Sequence, residues 1–317
     1  MTYQAPASET AHGDVSVIIC AYTEDRWNDI VGAIESIKRQ TLPVREIILV
    51  IDYNRPLFEH ARSALDGAAI IENTSARGLS GARNCGLAVA SGTFIAFLDD
   101  DAFAAADWLE RLHAHCTRSG VLGAGGWVEA AWVGSQPGWF PDEFLWVVGC
   151  SYLGLPRATA SVRNPFGGCS CVRREVFDQV GGFRTEIGRF GTLPLGCEET
   201  ELAIRARQHW PERTFMYEPR ATILHKVPAV RRTLGYFASR CYSEGLSKAW
   251  LARRLGARDS LASERSYVRR VLPGGVLRGM LDGLLRHDPG GFGRAGAIML
   301  GLGCTTLGYL VGRLNES

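Results

Sequence analysis

"TFIAFLDDDAF", residues 93–103, is the stretch on which the fold turns. Six mostly apolar residues run straight into Asp99, Asp100 and Asp101, and the chain then turns apolar again. A run of that length, rich in Phe, Ile and Leu, predicts a buried strand. Adjacent carboxylates repel one another and resist desolvation, so the end of this strand needs something to offset that cost. In an extended segment Asp99 and Asp101 project to one side and Asp100 to the other. Two carboxylates on one side can share a dication. An Asp that merely forms a turn is the plainer reading, and it suits one such residue better than three.

Upstream of this strand the pattern alternates. "VSVIICA", "EIILVID" and "AAIIEN" read as strands. Ile30, Ala33, Ile34 and Ile37 recur at helical spacing, and "LFEHARSAL" and "LSGARNCGLAVASG" read as helices. "DWLERLHAHC" supplies the helix after the aspartates. Such alternation predicts an α/β architecture with a mostly parallel sheet flanked by helices. Residues 132 to about 196 are irregular and rich in Pro, Gly and aromatic residues, and loops this long are usually functional. Beyond them "EETELAIRARQHW" predicts a helix, "TFMYEP" and "ATILHKV" two strands, and "LGYFASRCYSEGLSKAWLARRL" a long basic helix.

The 46% hydrophobic and 21% charged residues belong to an ordinary globular protein, and 317 residues allow one extended domain or two. The net charge of +2 hides an asymmetry: residues 226–270 hold eleven Lys/Arg against Glu244, Asp259 and Glu264. A solvated helical face is the plain reading of that excess; the functional one is contact with phosphates, on an anionic membrane surface or a phosphorylated substrate. The nine cysteines form no C-x-x-C pair and the N-terminus is polar, without the pattern of a signal peptide. Together these predict reduced thiols and a cytoplasmic location. Residues 295–311, "AGAIMLGLGCTTLGYLV", carry no charge over seventeen positions. That is the short limit for a membrane span, and a helix packed on a partner or lying in the bilayer interface fits equally. The expectation is association with the inner face of the cell membrane, without a decision between spanning and lying on it.

Ligands of open α/β sheets bind beyond the carboxyl ends of the strands. Here those ends carry "YTED", Asp52 and the aspartate triplet. No G-x-G-x-x-G follows the first strand and no G-x-x-x-x-G-K-[ST] occurs, which disfavours a dinucleotide dehydrogenase or a P-loop enzyme. "CAYTEDRW" also lacks the glycine-rich basic loop expected of a nucleotidyltransferase. Several carboxylates without a glycine cradle suit a diphosphate held through Mg²⁺ or Mn²⁺.

With these residues in place, the chain resembles the family 2 glycosyltransferases, the nucleotide-sugar-dependent group with the GT-A fold. The resemblance runs from residue 15 to about 254 and rests on "VSVIICAYTED", "ILVID", "GLSGARNCGL", "FLDDDA", "GGCSCVRREVFDQVGGF", "CEETELAIRAR" and "ILHKV", in the family's order. It implies a flexible tail over 1–14, a GT-A catalytic domain over 15–230 and a helical C-terminal region over 231–317. The nucleotide-binding half would cover about 15–131 and the acceptor-binding half about 132–230.

The resemblance also assigns residues. Ala21, Tyr22 and Glu24 fall in the loop after the first strand, with Tyr22 against the nucleotide base. Asp52 matches the acid that accepts a hydrogen bond from the uracil ring, although Tyr53 and Asn54 replace the acid and glycine that often follow. Arg83 matches an arginine that approaches the nucleotide; a surface ion pair is its plainer reading. Asp101 falls on the metal position, with Asp99 and Asp100 on the ribose or metal-bound water. His225 falls near the metal and diphosphate, and a lone His after an apolar strand is otherwise structural. Glu199 takes the place of the catalytic base beside Glu198; the family commonly has Asp there. These two acids would equally suit the positive end of a helix.

Gly167 and Gly168 lie where backbone approaches the donor sugar. Trp146 would stack on a sugar or lipid, or else pack as loop core, and Arg240 occurs in a segment shared with relatives acting on lipid-linked or surface saccharides. The implied activity is an inverting transfer from a UDP-sugar to a saccharide or lipid-linked acceptor, with Mn²⁺ or Mg²⁺. A retaining enzyme of the same fold and a non-catalytic sugar-nucleotide scaffold stay open beside it. No nucleic-acid partner is expected, and the oligomeric state stays open.

Overall fold

The computed structural model describes residues 13–187, 196–256 and 262–314. The tail expected over 1–14 therefore falls almost wholly outside the described residues. The chain begins with β1 (Val15–Ala21), α1 (Trp27–Lys38), β2 (Glu46–Ile51), α2 (Arg55–Ala64), β3 (Ala69–Glu72), α3 (Leu79–Val89) and β4 (Phe94–Asp99). After the aspartates come β5 (Ala102–Ala104), α4 (Trp108–Cys116), β6 (Val121–Trp132), β7 (Ala160–Val162), β8 (Cys169–Arg173), α5 (Arg174–Val180), α6 (Glu198–His209) and β9 (Thr214–Val227). Helices close the chain: α7 (Leu234–Leu255), α8 (Ala262–Ser266), α9 (Leu272–Leu285) and α10 (Pro289–Leu314).

The nine strands form one sheet in the order β3-β2-β1-β4-β8-β6-β9-β5, with β7 also paired to β9. β1 to β4 run parallel, as alternation with helices predicts. The sheet then turns mixed, because β8 is antiparallel to both β4 and β6. Strands buried on both faces read as continuous apolar runs, and β1, β2 and β4 are buried along nearly their whole lengths. One core lies under α1, α2 and α4; a second, built on Ile18, Val50, Phe97 and Phe215, lies under α3, α5 and α6.

The strands depart from the sequence expectation in two ways: β5 to β8 are not among the expected strands, and the last two expected strands merge. "TFMYEP" and "ATILHKV" form a single strand, β9, which continues through Pro219. Its pairing with β6 shifts register between Gly126 and Trp127, and such an irregularity is where a strand tolerates a residue without an N–H donor. β6 itself opens with "VLGAGG", whose glycines weaken any strand signal.

The basic helix differs as well. The cations of α7 turn toward protein partners instead of forming a solvated face. Arg240 pairs with Glu244 at 2.9 Å, and the buried Lys248 pairs with Glu264 at 2.6 Å. Arg253 donates to the Gly312 carbonyl, and Arg254 lies over the Trp250 ring. The nine cysteines are unpaired.

Candidate active site

The parallel registers place the ends of three strands level with one another. Asp99 sits opposite Cys20, and Ala21 opposite Ile51. Asp52, the next residue after β2, is fixed by its own N–H donating to the Ala21 carbonyl at 2.8 Å. The Asp52 carboxylate accepts from the Gly78 N–H at 3.0 Å and from Asn73 Nδ2 at 2.6 Å. It is thereby rigid, with acceptor capacity left over. Tyr22 is 56% exposed beside it. Glu24 is exposed, with its carboxylate 3.9 Å from His60 Nδ1.

Immediately after β4 the chain turns, and the three aspartates diverge. Asp100 accepts a hydrogen bond from Arg26 Nη1 at 2.6 Å, and Asp101 Oδ2 lies 3.1 Å from the same nitrogen. Asp101 Oδ1 meets His225 Nε2 at 3.2 Å. This contact follows from the pairing of β5 with β9: Ala102 lies opposite His225, and the Lys226 N–H donates to the Asp101 carbonyl at 2.9 Å. The other ring nitrogen, Nδ1, is 3.5 Å from Cys150 Sγ, which fixes the imidazole from behind. Asp99, Asp101 and His225 each bring one ligand atom within 4.8 Å of the others. Two carboxylates and an imidazole form a donor set that could hold a divalent cation, and Asp100 Oδ2 is left buried without a partner beside it.

The charges divide accordingly. Burial works against ionised Asp101, yet His225, Arg26 and Arg231 outweigh it and hold this carboxyl well below the usual range. Burial pushes Asp100 up to about 7, with repulsion from Asp101 adding to it and Arg26 opposing it. Arg26 had no assigned role in the sequence, although a cation inside "YTEDR" was the signal for one. Cys150 and Arg231 offered no such signal, since their roles depend on contacts between segments 75 or more residues apart.

Arg83 links this edge to α6. Its guanidinium is buried, pairs with Glu198 Oε1 at 3.1 Å and lies 3.7 Å from Asp99 Oδ1. It also packs over the Phe97 and Phe183 rings. Both glycines ahead of β8 face this crowding. A Cβ on Gly167 would stand 3.0 Å from the Arg83 nitrogens, and one on Gly168 would collide with the Asp99 carboxylate.

Helix α6 starts from Cys197, a non-glycine residue with φ of 77°, a left-handed conformation that costs energy outside glycine. The turn presents Glu198 and Glu199 in different directions. Glu198 meets Arg83, while Glu199 has no ion pair among the described residues. Glu199 instead borders a small, largely apolar cavity lined also by Phe97, Gly167, Ser170, Phe183, Leu202 and Phe215. Burial, then the Glu198 charge, raises its carboxyl to about 7. A carboxylate titrating there can accept a proton near neutral pH.

The remaining expected residues flank the start of α6. Arg240 Nη2 would be 3.1 Å from a Cβ on Gly196, and its guanidinium lies over the Trp146 ring. Trp146 packs against Phe144 and donates from Nε1 to Tyr267 Oη at 3.3 Å. Its ring is thus half-buried in an aromatic cluster and does not line the Glu199 cavity.

The fold is that of the GT-A glycosyltransferases, and comparison with known proteins agrees. The family described as Glycosyl transferase family 2 matches residues 16–181, and the chain belongs to it. It is 32% identical over 238 residues to the glucosyl-dolichyl phosphate glucuronosyltransferase of Haloferax volcanii, covering 74% of this chain and 76% of that protein. With the succinoglycan biosynthesis protein ExoM of Rhizobium meliloti it shares 25% identity, over 86% of this chain and 94% of that one. The mannosyltransferase PcManGT of Pyrobaculum calidifontis, solved with GDP-Man and Mn²⁺, has the same fold. It superposes with a TM-score of 0.59 at 17% identity, over 97% of this chain and 89% of that one.

Proposed function

We propose that this glycosyltransferase moves a sugar from a UDP-sugar to a hydroxyl of a lipid-linked saccharide or glycolipid precursor, with inversion at the anomeric carbon. The observation that carries the reading is Glu199: a carboxylate raised to about 7 beside a cavity, joined through Glu198 and Arg83 to the Asp99 edge. The donor's base lies against Tyr22, its ring N–H donating to Asp52. Gly167 and Gly168 let the sugar approach the backbone. The acceptor enters from the side of Trp146 and Arg240. Glu199 takes the acceptor proton as the acceptor oxygen bonds to the anomeric carbon and the bond from that carbon to the diphosphate oxygen breaks. One displacement from the far face inverts the centre.

Asp101 and His225, with Asp99, would hold a divalent cation, Mn²⁺ or Mg²⁺; when bound it supplies Lewis-acid neutralisation of the departing diphosphate. Arg26 keeps Asp100 and Asp101 in place. A lipid-linked acceptor agrees with the dolichyl phosphate named for the Haloferax volcanii relative, and such an acceptor would bring the enzyme to a membrane surface, in our reading the inner face of the cell membrane. A growing polysaccharide is the acceptor suggested by the ExoM likeness.

The test is transfer from radiolabelled UDP-, GDP- and dTDP-sugars, with Mn²⁺, to polyprenyl-phosphate-linked saccharides. Labelled lipid product from a UDP-sugar is expected, with anomeric inversion by NMR. Product from a GDP-sugar alone would remove the role of Asp52 toward uracil. Donor binding without transfer across all acceptors would favour a scaffold.

A further inference from the structure

The C-terminal hairpin of α9 and α10 reverses the arrangement of an ordinary surface helix, which buries its large apolar side chains and exposes polar ones. The face of α10 turned to the protein is made of small residues apart from Ile298. A Cβ on Gly308 would collide with the Tyr242 carbonyl of α7, one on Gly301 with the Phe144 ring, and one on Gly291 would stand 2.7 Å from the Gly283 N of α9. The opposite face carries Phe292, Met299, Leu300, Leu307, Leu310 and Leu314, all exposed. They recur at helical spacing, and no charged residue interrupts the exposed stripe from Phe292 to Leu310. Leu307 is 56% and Leu314 76% exposed. On α9, Leu277, Leu281, Leu284 and Leu285 are exposed as well. Contiguous apolar surface of this extent marks an interaction site.

Charge identifies the occupant. Arg265, Arg269, Arg270 and Arg313 are exposed and make no ion pair among the described residues. Asp282 and Asp288 are both taken up by Arg294. Exposed cations thus stand in the segment leading into α9 (Arg265, Arg269, Arg270) and in the last turn of α10 (Arg313), as on helices that lie in the headgroup layer of anionic membranes. α10 is 26 residues long and contains an 18-residue window of mean hydropathy 1.5, enough in length and composition for a span. Its inner face, however, is packed against α7, α9 and the 3-10 segment Asp142–Val148, so only the outer face is available to lipid.

We propose that the outer face of the α9–α10 hairpin rests in the interface of an anionic lipid bilayer, holding the protein as a peripheral, non-spanning attachment. The proposal deepens the reading of a lipid-linked acceptor and rests on it for the purpose of the attachment, but membrane binding is measured separately from transfer.

Flotation of the full chain with phosphatidylcholine vesicles, with and without 30% phosphatidylglycerol, tests it. Wild type is expected to float with the anionic vesicles and to be released by alkaline carbonate. Leu307→Gln with Leu310→Gln, both exposed and so outside the core, is expected to lower partitioning at least about tenfold. Arg269→Gln with Arg270→Gln is expected to lower binding to anionic vesicles about tenfold while leaving neutral ones unaffected. Circular dichroism should match wild type in both. Wild type that stays with the soluble fraction would overturn the surface while leaving transfer to soluble acceptor analogues untouched. A dimer that the leucine pair converts to monomer, or resistance to carbonate, would also overturn it. Flotation as expected with no transfer to any acceptor would support the surface and count against the transferase reading alone.

Discussion

Asp101 and Glu199 are acids at one edge of one sheet, and burial is the largest influence on both, raising each. They nevertheless end in opposite states. Asp101 lies between His225 and Arg26, which keep it ionised. Glu199 borders a small cavity with aromatic walls and stands next to the charge of Glu198; Arg83, which pairs with Glu198, opposes the rise at Glu199 without outweighing burial. The position of cations therefore decides which acid binds charge and which moves a proton. A carboxylate held ionised suits a dication and diphosphate; one raised to about 7 suits a base working near neutrality.

Breaking the comparison on the Glu199 side should have the largest effect. Glu199→Gln is expected to lower single-turnover transfer by about a thousandfold, the range for loss of a general base, while donor affinity by calorimetry changes less than about twofold. Arg83→Met leaves Glu198 buried without its cation, and should cost about 3 kcal/mol of stability; an unchanged denaturation midpoint would show that the pair is dispensable. Asp101→Asn should weaken Mn²⁺-dependent donor binding by about a hundredfold, since even partners outside the ligand sphere cost about 10–100-fold. Equal binding with and without the ion would remove the metal role.

The smallest effect sharpens the contrast through pH. Because the folded protein raises Glu199 from 4.5 to about 7, the folded state holds this proton more tightly than the unfolded one. The contribution is fully present below pH 4.5 and is lost as pH rises through 7. Glu199→Gln should therefore gain stability over wild type between pH 5 and pH 8, on the order of 2 kcal/mol once partial exposure is allowed for. Thermal melts at the two pH values read this directly.

The strand end that holds the aspartates was legible because an apolar run into clustered charge has few uses in a soluble protein. The helical and strand periodicities of the first hundred residues carried over for the same reason: each is a local pattern. What stayed hidden was long-range. The sequence shows Glu198 and Glu199 as neighbours, but only the 100° step of a helix and the distant Arg83 separate their fates. The cations of 226–270 suggested a solvated face, whereas Lys248 and Arg240 find acids that folding alone brings near. α10 showed its apolar length, yet its glycines did not disclose that they form the inner face.

The most direct measurement is a titration of the Glu199 carboxyl by ¹³C NMR in protein with labelled glutamate, its signal assigned by loss in Glu199→Gln. A midpoint near 7 is predicted, with single-turnover transfer rising over the same range. A midpoint near 4.5, or transfer that does not change across it, would contradict the account.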